Sequence, residues 1–155
     1  MSTSVSLASE PITLKQVTSG EFAAEGVSGI NPIKGTDQYA RVSADGKRVE
    51  QYSFKTGKLT SVLFDVDHTQ GEQIKGFDGY VMSPDGTRML IATKREKVYR
   101  RSYKAVFYIY TIKSRKLEKL SDGGSQQCPV WSPDGLQVAF VRDNNIFLVK
   151  LLYDN

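Results

Sequence analysis

The sequence predicts an all-β chain: a partial β-propeller of about two to three four-stranded blades belonging to a larger propeller. Three observations carry the blade architecture. A tetrapeptide recurs as Ser43-Ala44-Asp45-Gly46, Ser83-Pro84-Asp85-Gly86 and Ser132-Pro133-Asp134-Gly135, with its serines 40 and 49 residues apart. Each copy lies between two strand-like stretches, and helical periodicity is nearly absent.

The tetrapeptide has the chemistry of a tight turn. Proline sets φ at its second position, aspartate can hydrogen-bond nearby backbone, and glycine supplies a positive φ. The stretches before the three copies are Tyr39 to Val42, Tyr80 to Met82 and Pro129 to Trp131. Those after them are Arg48 to Phe54, Arg88 to Thr93 and Gln137 to Val141. Strand, turn and strand make a β-hairpin. Further turn signals at Lys55-Thr56-Gly57, Lys113-Ser114-Arg115 and Asp143-Asn144-Asn145 divide each unit into about four short antiparallel strands.

A four-stranded unit repeating every 40–50 residues reads as a propeller blade. The segment Val106-Phe107-Tyr108-Ile109-Tyr110 is apolar at every position. That suits a strand covered on both faces by neighbouring blades, whereas a strand with one wet face alternates. A two-layer sandwich also has short strands and turns, but it does not require three matched turns at near-constant spacing. Residues 1–11 read as a disordered tail and residues 12–155 as propeller.

Composition sets the outer limits. The chain has 155 residues, 39% hydrophobic and 25% charged, which is ordinary for a globular domain. No apolar run approaches the length of a membrane span. The net charge is +4, but the basic residues are scattered except at Lys94-Arg95-Glu96-Lys97 and Arg100-Arg101. No nucleic-acid-binding motif accompanies them. Cys128 is the only cysteine, so an intrachain disulfide is impossible, and His68 is the only histidine. A zinc cluster of histidines and cysteines is therefore excluded. The N-terminus lacks the pattern of a secretory signal, which leaves the compartment open.

Several stretches resemble the dipeptidyl peptidase IV family of prolyl oligopeptidase-type serine peptidases. Ile12 through Gly20 to Ile30 is similar to the start of that family's N-terminal β-propeller, and Tyr52 to Gly57 resembles its first-blade hairpin. The most specific element is Tyr99-Arg100-Arg101-Ser102-Tyr103 followed by Tyr108-Ile109-Tyr110. It resembles the family's aromatic-Arg-His-Ser-Tyr segment and the Tyr-x-Ile-Tyr strand after it. Trp131 to Gly135, Ala139 to Val141 and Asn144 to Phe147 match the start of the next blade.

The resemblance implies an eight-bladed propeller joined to a C-terminal α/β-hydrolase domain, in a homodimeric enzyme. Such an enzyme releases dipeptides from peptides with proline or alanine second, without a cofactor, in the periplasm, outside the cell or at its surface. It implies that Arg100 binds a carbonyl of the substrate, a role suited to a planar, permanently charged donor. Arg101 stands where the family often has histidine. No G-x-S-x-G elbow occurs in the chain, so the catalytic serine, aspartate and histidine are expected outside it. A tripeptidyl or acylaminoacyl peptidase propeller and a non-enzymatic interaction scaffold remain alternatives.

The other singled-out residues have plainer expectations. Tyr99, Ser102 and Tyr103 are expected to shape the Arg100 element, with Lys94 to Lys97 as a solvated loop leading to it. Trp131 is expected to pack between blades, and Cys128 to be a small buried hydrophobe. Asp65, Asp67 and His68 lie too close together on one strand end for good metal geometry, so no metal is expected.

Overall fold

The computed structural model describes residues 11–23 and 29–151. The expected disordered tail lies outside the described residues except at Pro11. One short helix, α1 (Leu14–Thr18), precedes the strands. Thr13 starts it with a capping box, its hydroxyl accepting from the Gln16 N–H while the Gln16 side chain accepts from the Thr13 N–H. This local hydrogen bonding forms a helix where the sequence showed no apolar periodicity, and α1 buries none of its residues.

Among the described residues, twelve strands follow in three sheets. The first sheet contains β1 (Asn31–Pro32), β2 (Gln38–Val42), β3 (Arg48–Ser53) and β4 (Leu59–Asp65), in chain order. The second contains β5 (Gln70–Gly71), β6 (Gly79–Met82), β7 (Arg88–Lys97), β8 (Tyr103–Thr111) and β9 (Lys116–Lys119). The third contains β10 (Gln127–Trp131), β11 (Gln137–Arg142) and β12 (Asn145–Lys150). The expectation of about four antiparallel strands per unit holds for the first two units, and the third sheet has three strands among the described residues. Both β1 to β4 and β6 to β9 form four-stranded antiparallel meanders, and β5 adds to the second in parallel beside β9. After β4 the chain turns through Val66–His68 and crosses to the second sheet at β5.

The three tetrapeptides fold into the same hairpin turn. The glycine N–H donates to the serine carbonyl at 2.9 Å in each copy, with glycine φ of +70°, +72° and +73°. The serine hydroxyl accepts the N–H of the residue five positions on (Arg48, Arg88, Gln137), each at 2.9 Å. It also donates to the carboxylate of Asp45, Asp85 or Asp134. That carboxylate in turn accepts the N–H two residues beyond it. Serine and aspartate thus replace the ladder bonds that the turn interrupts.

Two apolar layers bind the sheets face to face. Between the first and second sheets lie Ala40, Val49 and Phe64 on one side and Met89, Ile91, Tyr108, Tyr110 and Leu117 on the other. Phe64 and Tyr110 meet edge to face at 4.8 Å. Between the second and third sheets, Leu90, Ala92, Phe107 and Ile109 pack against Trp131, Val138 and Phe140. Strand β8 therefore sends alternate side chains into different cores, which confirms the reading of Val106 to Tyr110 as a strand covered on both faces. Trp131 packs between sheets as expected and donates its indole N–H to the Val81 carbonyl at 3.4 Å. Burial of a large apolar side chain is worth about 1.5–3 kcal/mol, against about 0–1 kcal/mol for an exposed ion pair. These layers, not the surface charges, hold the stack together.

Cys128 is not buried. It is exposed, with a φ of +48°, at the register slip between Gln127 and Val130 in β10. The irregular backbone turns its side chain away from the packed face, a displacement that hydrophobicity alone does not signal.

Candidate functional site

The β7–β8 hairpin positions Arg100. Strand β7 is buried from Met89 to Thr93 and exposed from Lys94 onward. The change occurs at a bulge: Lys94 has a φ of +52°, and the register slips between Thr93 and Glu96. Pairing then resumes at Glu96 with Lys104 and at Lys97 with Tyr103. The expected loop at Lys94 to Lys97 is therefore a strand that leaves the packed sheet, because the bulge lets β7 keep its ladder after its side chains have lost their core.

At the tip, the N–H groups of Val98 and Tyr99 both donate to the Ser102 carbonyl, at 2.9 and 3.2 Å. Arg100 sits in this turn, exposed, with no hydrogen bond or ion pair among the described residues. Of the expected shaping residues, Ser102 acts through its carbonyl and Tyr103 through its ring. Tyr99 is 70% exposed.

The base of the hairpin is braced. Asp78, just before β6, accepts the Arg95 N–H through Oδ2 at 2.8 Å. The Arg95 guanidinium lies over the Tyr103 ring, 3.9 Å from its centroid, within the range of a cation–π contact. Beside this brace is an open cleft of about 640 Å³, lined by Lys75, Asp78, Thr93, Lys94, Arg95 and Tyr108 among others. Asp78 and Arg95 were missed in the sequence: they lie 17 residues apart, and no motif joins them.

The hairpin is strongly basic. Lys94, Arg95, Lys97, Arg100, Arg101 and Lys104 face one carboxylate within the segment, Glu96. Among the described residues, none of the seven ion pairs includes a hairpin residue. The surplus charge of the sequence is thus gathered where the hairpin leaves the sheet.

The acidic cluster at the end of β4 has a local role. Asp65 accepts the Asp67 N–H at 3.0 Å and pairs with His68 Nδ1 at 2.9 Å, which caps the Val66–His68 turn. Asp67 pairs instead with Lys47 at 3.4 Å.

Stacked antiparallel units with matched turns define a segment of a β-propeller, with a braced, basic hairpin projecting from one blade. Residues 83–155 match the family model described as the dipeptidyl peptidase IV (DPP IV) N-terminal region. A probable dipeptidyl-aminopeptidase B of Emericella nidulans is 30% identical over 92% of this chain and 17% of its own length. A probable dipeptidyl peptidase 4 of Aspergillus fumigatus is 33% identical over 77% of this chain and 16% of its own length. The crystal structure of Porphyromonas gingivalis dipeptidyl peptidase 4 superposes with a TM-score of 0.78 at 34% identity, covering 92% of this chain and 20% of that one. The chain carries the N-terminal β-propeller region of the dipeptidyl peptidase IV family. It spans about a sixth of the length of these curated relatives.

Proposed function

We propose that this chain is the N-terminal propeller part of a serine exopeptidase that releases X-Pro or X-Ala dipeptides from peptide N-termini. In this reading the propeller admits and positions the peptide, and a C-terminal α/β-hydrolase domain performs the hydrolysis, in a homodimer. Arg100 is the positioning group: its guanidinium donates to a carbonyl of the bound peptide. The observation that carries the reading is an exposed arginine, without a partner among the described residues, at the tip of a braced hairpin. A donor held in this way loses less freedom on binding than one on a loose loop.

The test is Arg100→Ala in the full-length protein, assayed on a dipeptide-proline substrate. A charge-assisted hydrogen bond contributes roughly 1.5–3 kcal/mol, so kcat/KM should fall roughly 10- to 150-fold. Arg100→Lys should recover only part of the loss, because an ammonium lacks the planar fork. Unchanged kcat/KM for Arg100→Ala would sink the assignment.

A further inference from the structure

One carbonyl needs one arginine, and the hairpin carries five further cations: Lys94, Arg95, Lys97, Arg101 and Lys104. Arg95 is engaged with Tyr103. Lys94, Lys97, Arg101 and Lys104 are exposed and have no carboxylate in ion-pair reach among the described residues. Even Glu96, which is paired in register with Lys104, forms no ion pair with it. Elsewhere several carboxylates are paired with lysines: Asp67 with Lys47, Asp37 with Lys55, Glu118 with Lys116 and Glu72 with Lys119. The basic hairpin, with six cations on eleven residues, contains no such pair among the described residues.

Like charges crowded on a narrow projection repel one another, and an anionic ligand relieves that repulsion. The bulge at Lys94, the Asp78 bond and the Arg95–Tyr103 stack hold these charges in place. We propose that the hairpin selects peptides bearing carboxylate side chains next to the segment that Arg100 holds, with Lys97, Arg101 and Lys104 as the specificity-determining cations. This rests on the reading of Arg100 as a peptide-positioning residue and adds a substrate class to it. The occupant is an acidic stretch of the peptide itself, on the same projection as the carbonyl donor.

The experiment compares three synthetic peptides, Ala-Pro-Glu-Glu-Gly, Ala-Pro-Gln-Gln-Gly and Ala-Pro-Lys-Lys-Gly, each amidated, as substrates of the full-length protein. An exposed charge pair changes affinity about two- to five-fold. At low salt, kcat/KM should therefore rank Glu above Gln above Lys, with about that step for each engaged carboxylate. Added salt should compress the ranking, since the screening length falls to about 3 Å at 1 M. In the triple variant Lys97→Gln, Arg101→Gln, Lys104→Gln, the Glu-to-Gln ratio should fall to near one. These side chains are exposed, so an unchanged melting curve separates lost selection from lost folding. Equal turnover of the Glu and Gln peptides by the unaltered protein, with Arg100→Ala still slow on the Gln peptide, overturns the acidic selection alone. If Arg100→Ala turns over the Gln peptide normally, the positioning reading fails as well.

Discussion

Gln126 accepts the Phe107 N–H through Oε1 at 2.9 Å, in a site where the glutamine side chain is fully enclosed. Its Nε2 donates to the Gly124 carbonyl at 2.9 Å and to that of Ser121 at 3.3 Å. Its own backbone pairs with Ala105 in both directions. One residue therefore continues the edge of the second sheet where β9 has ended, and it fixes the loop that leads to the third.

Gln126→Leu should keep the volume and lose all three side-chain bonds. A buried donor left unsatisfied costs about 1–3 kcal/mol, so the thermal midpoint should drop clearly. The same substitution at exposed Gln73 should barely move it. Equal midpoints for the two variants would contradict the role assigned to Gln126.

The turn aspartates should make stability depend on acid. The Ser43 and Ser132 hydroxyls, with the backbone N–H groups of Lys47 and Leu136, hold Asp45 and Asp134 below the ordinary carboxylate value of 3.8. For Asp85, partial burial pushes upward, but the bonds from Ser83 and Thr87 outweigh it and the net shift is also downward. A carboxyl with a lowered folded-state pKa stabilises the fold above its unfolded value and loses that contribution as pH falls through the folded one. The melting midpoint should therefore fall below about pH 4. It should fall less steeply in the triple variant Asp45→Asn, Asp85→Asn, Asp134→Asn.

Two glycines with the same backbone should tolerate alanine differently. Gly46 and Gly135 have φ of +70° and +73°, and a side chain there costs roughly 1–2 kcal/mol. An added Cβ at Gly46 meets open space, whereas at Gly135 it comes within 3.2 Å of the Asp85 carboxyl. Gly135→Ala should accordingly lower the urea midpoint further than Gly46→Ala. Identical midpoints would mean that the Asp85 side chain yields without cost.

Asp78→Ala should loosen the hairpin without unfolding the sheet. Removing the acceptor of the Arg95 N–H frees the base of the projection, so amide exchange over residues 95–104 should quicken while β8 from Ala105 onward stays protected. Asp78→Asn keeps an acceptor and should exchange more slowly than the alanine variant.

The legible parts of this fold were those with a local cause. Each Ser-x-Asp-Gly turn is closed by bonds within six residues, so its sequence was enough to place it. The Val106 to Tyr110 strand declared its two covered faces by lacking polar positions. The bulge at Lys94, the brace from Asp78 and the exposure of Cys128 depend on how distant strands meet, and no short pattern encodes them. Tyr99 to Tyr103 marked the hairpin, but its reach beyond the sheet depends on the exposed extension of β7. The α1 helix was hidden for another reason: capping bonds sustain it, and it has no apolar stripe to read.

The alternation of β8 has a mechanical consequence. Phe107 and Ile109 belong to one core, Tyr108 and Tyr110 to the other, and the same strand rises through Ala105 to the tip that bears Arg100. The strand is a beam clamped on both sides. A substitution that thins either clamp, at Phe64 or at Phe140, is transmitted along the beam to its free end. The placement of the arginine is thus set in part by packing far from the tip that carries it.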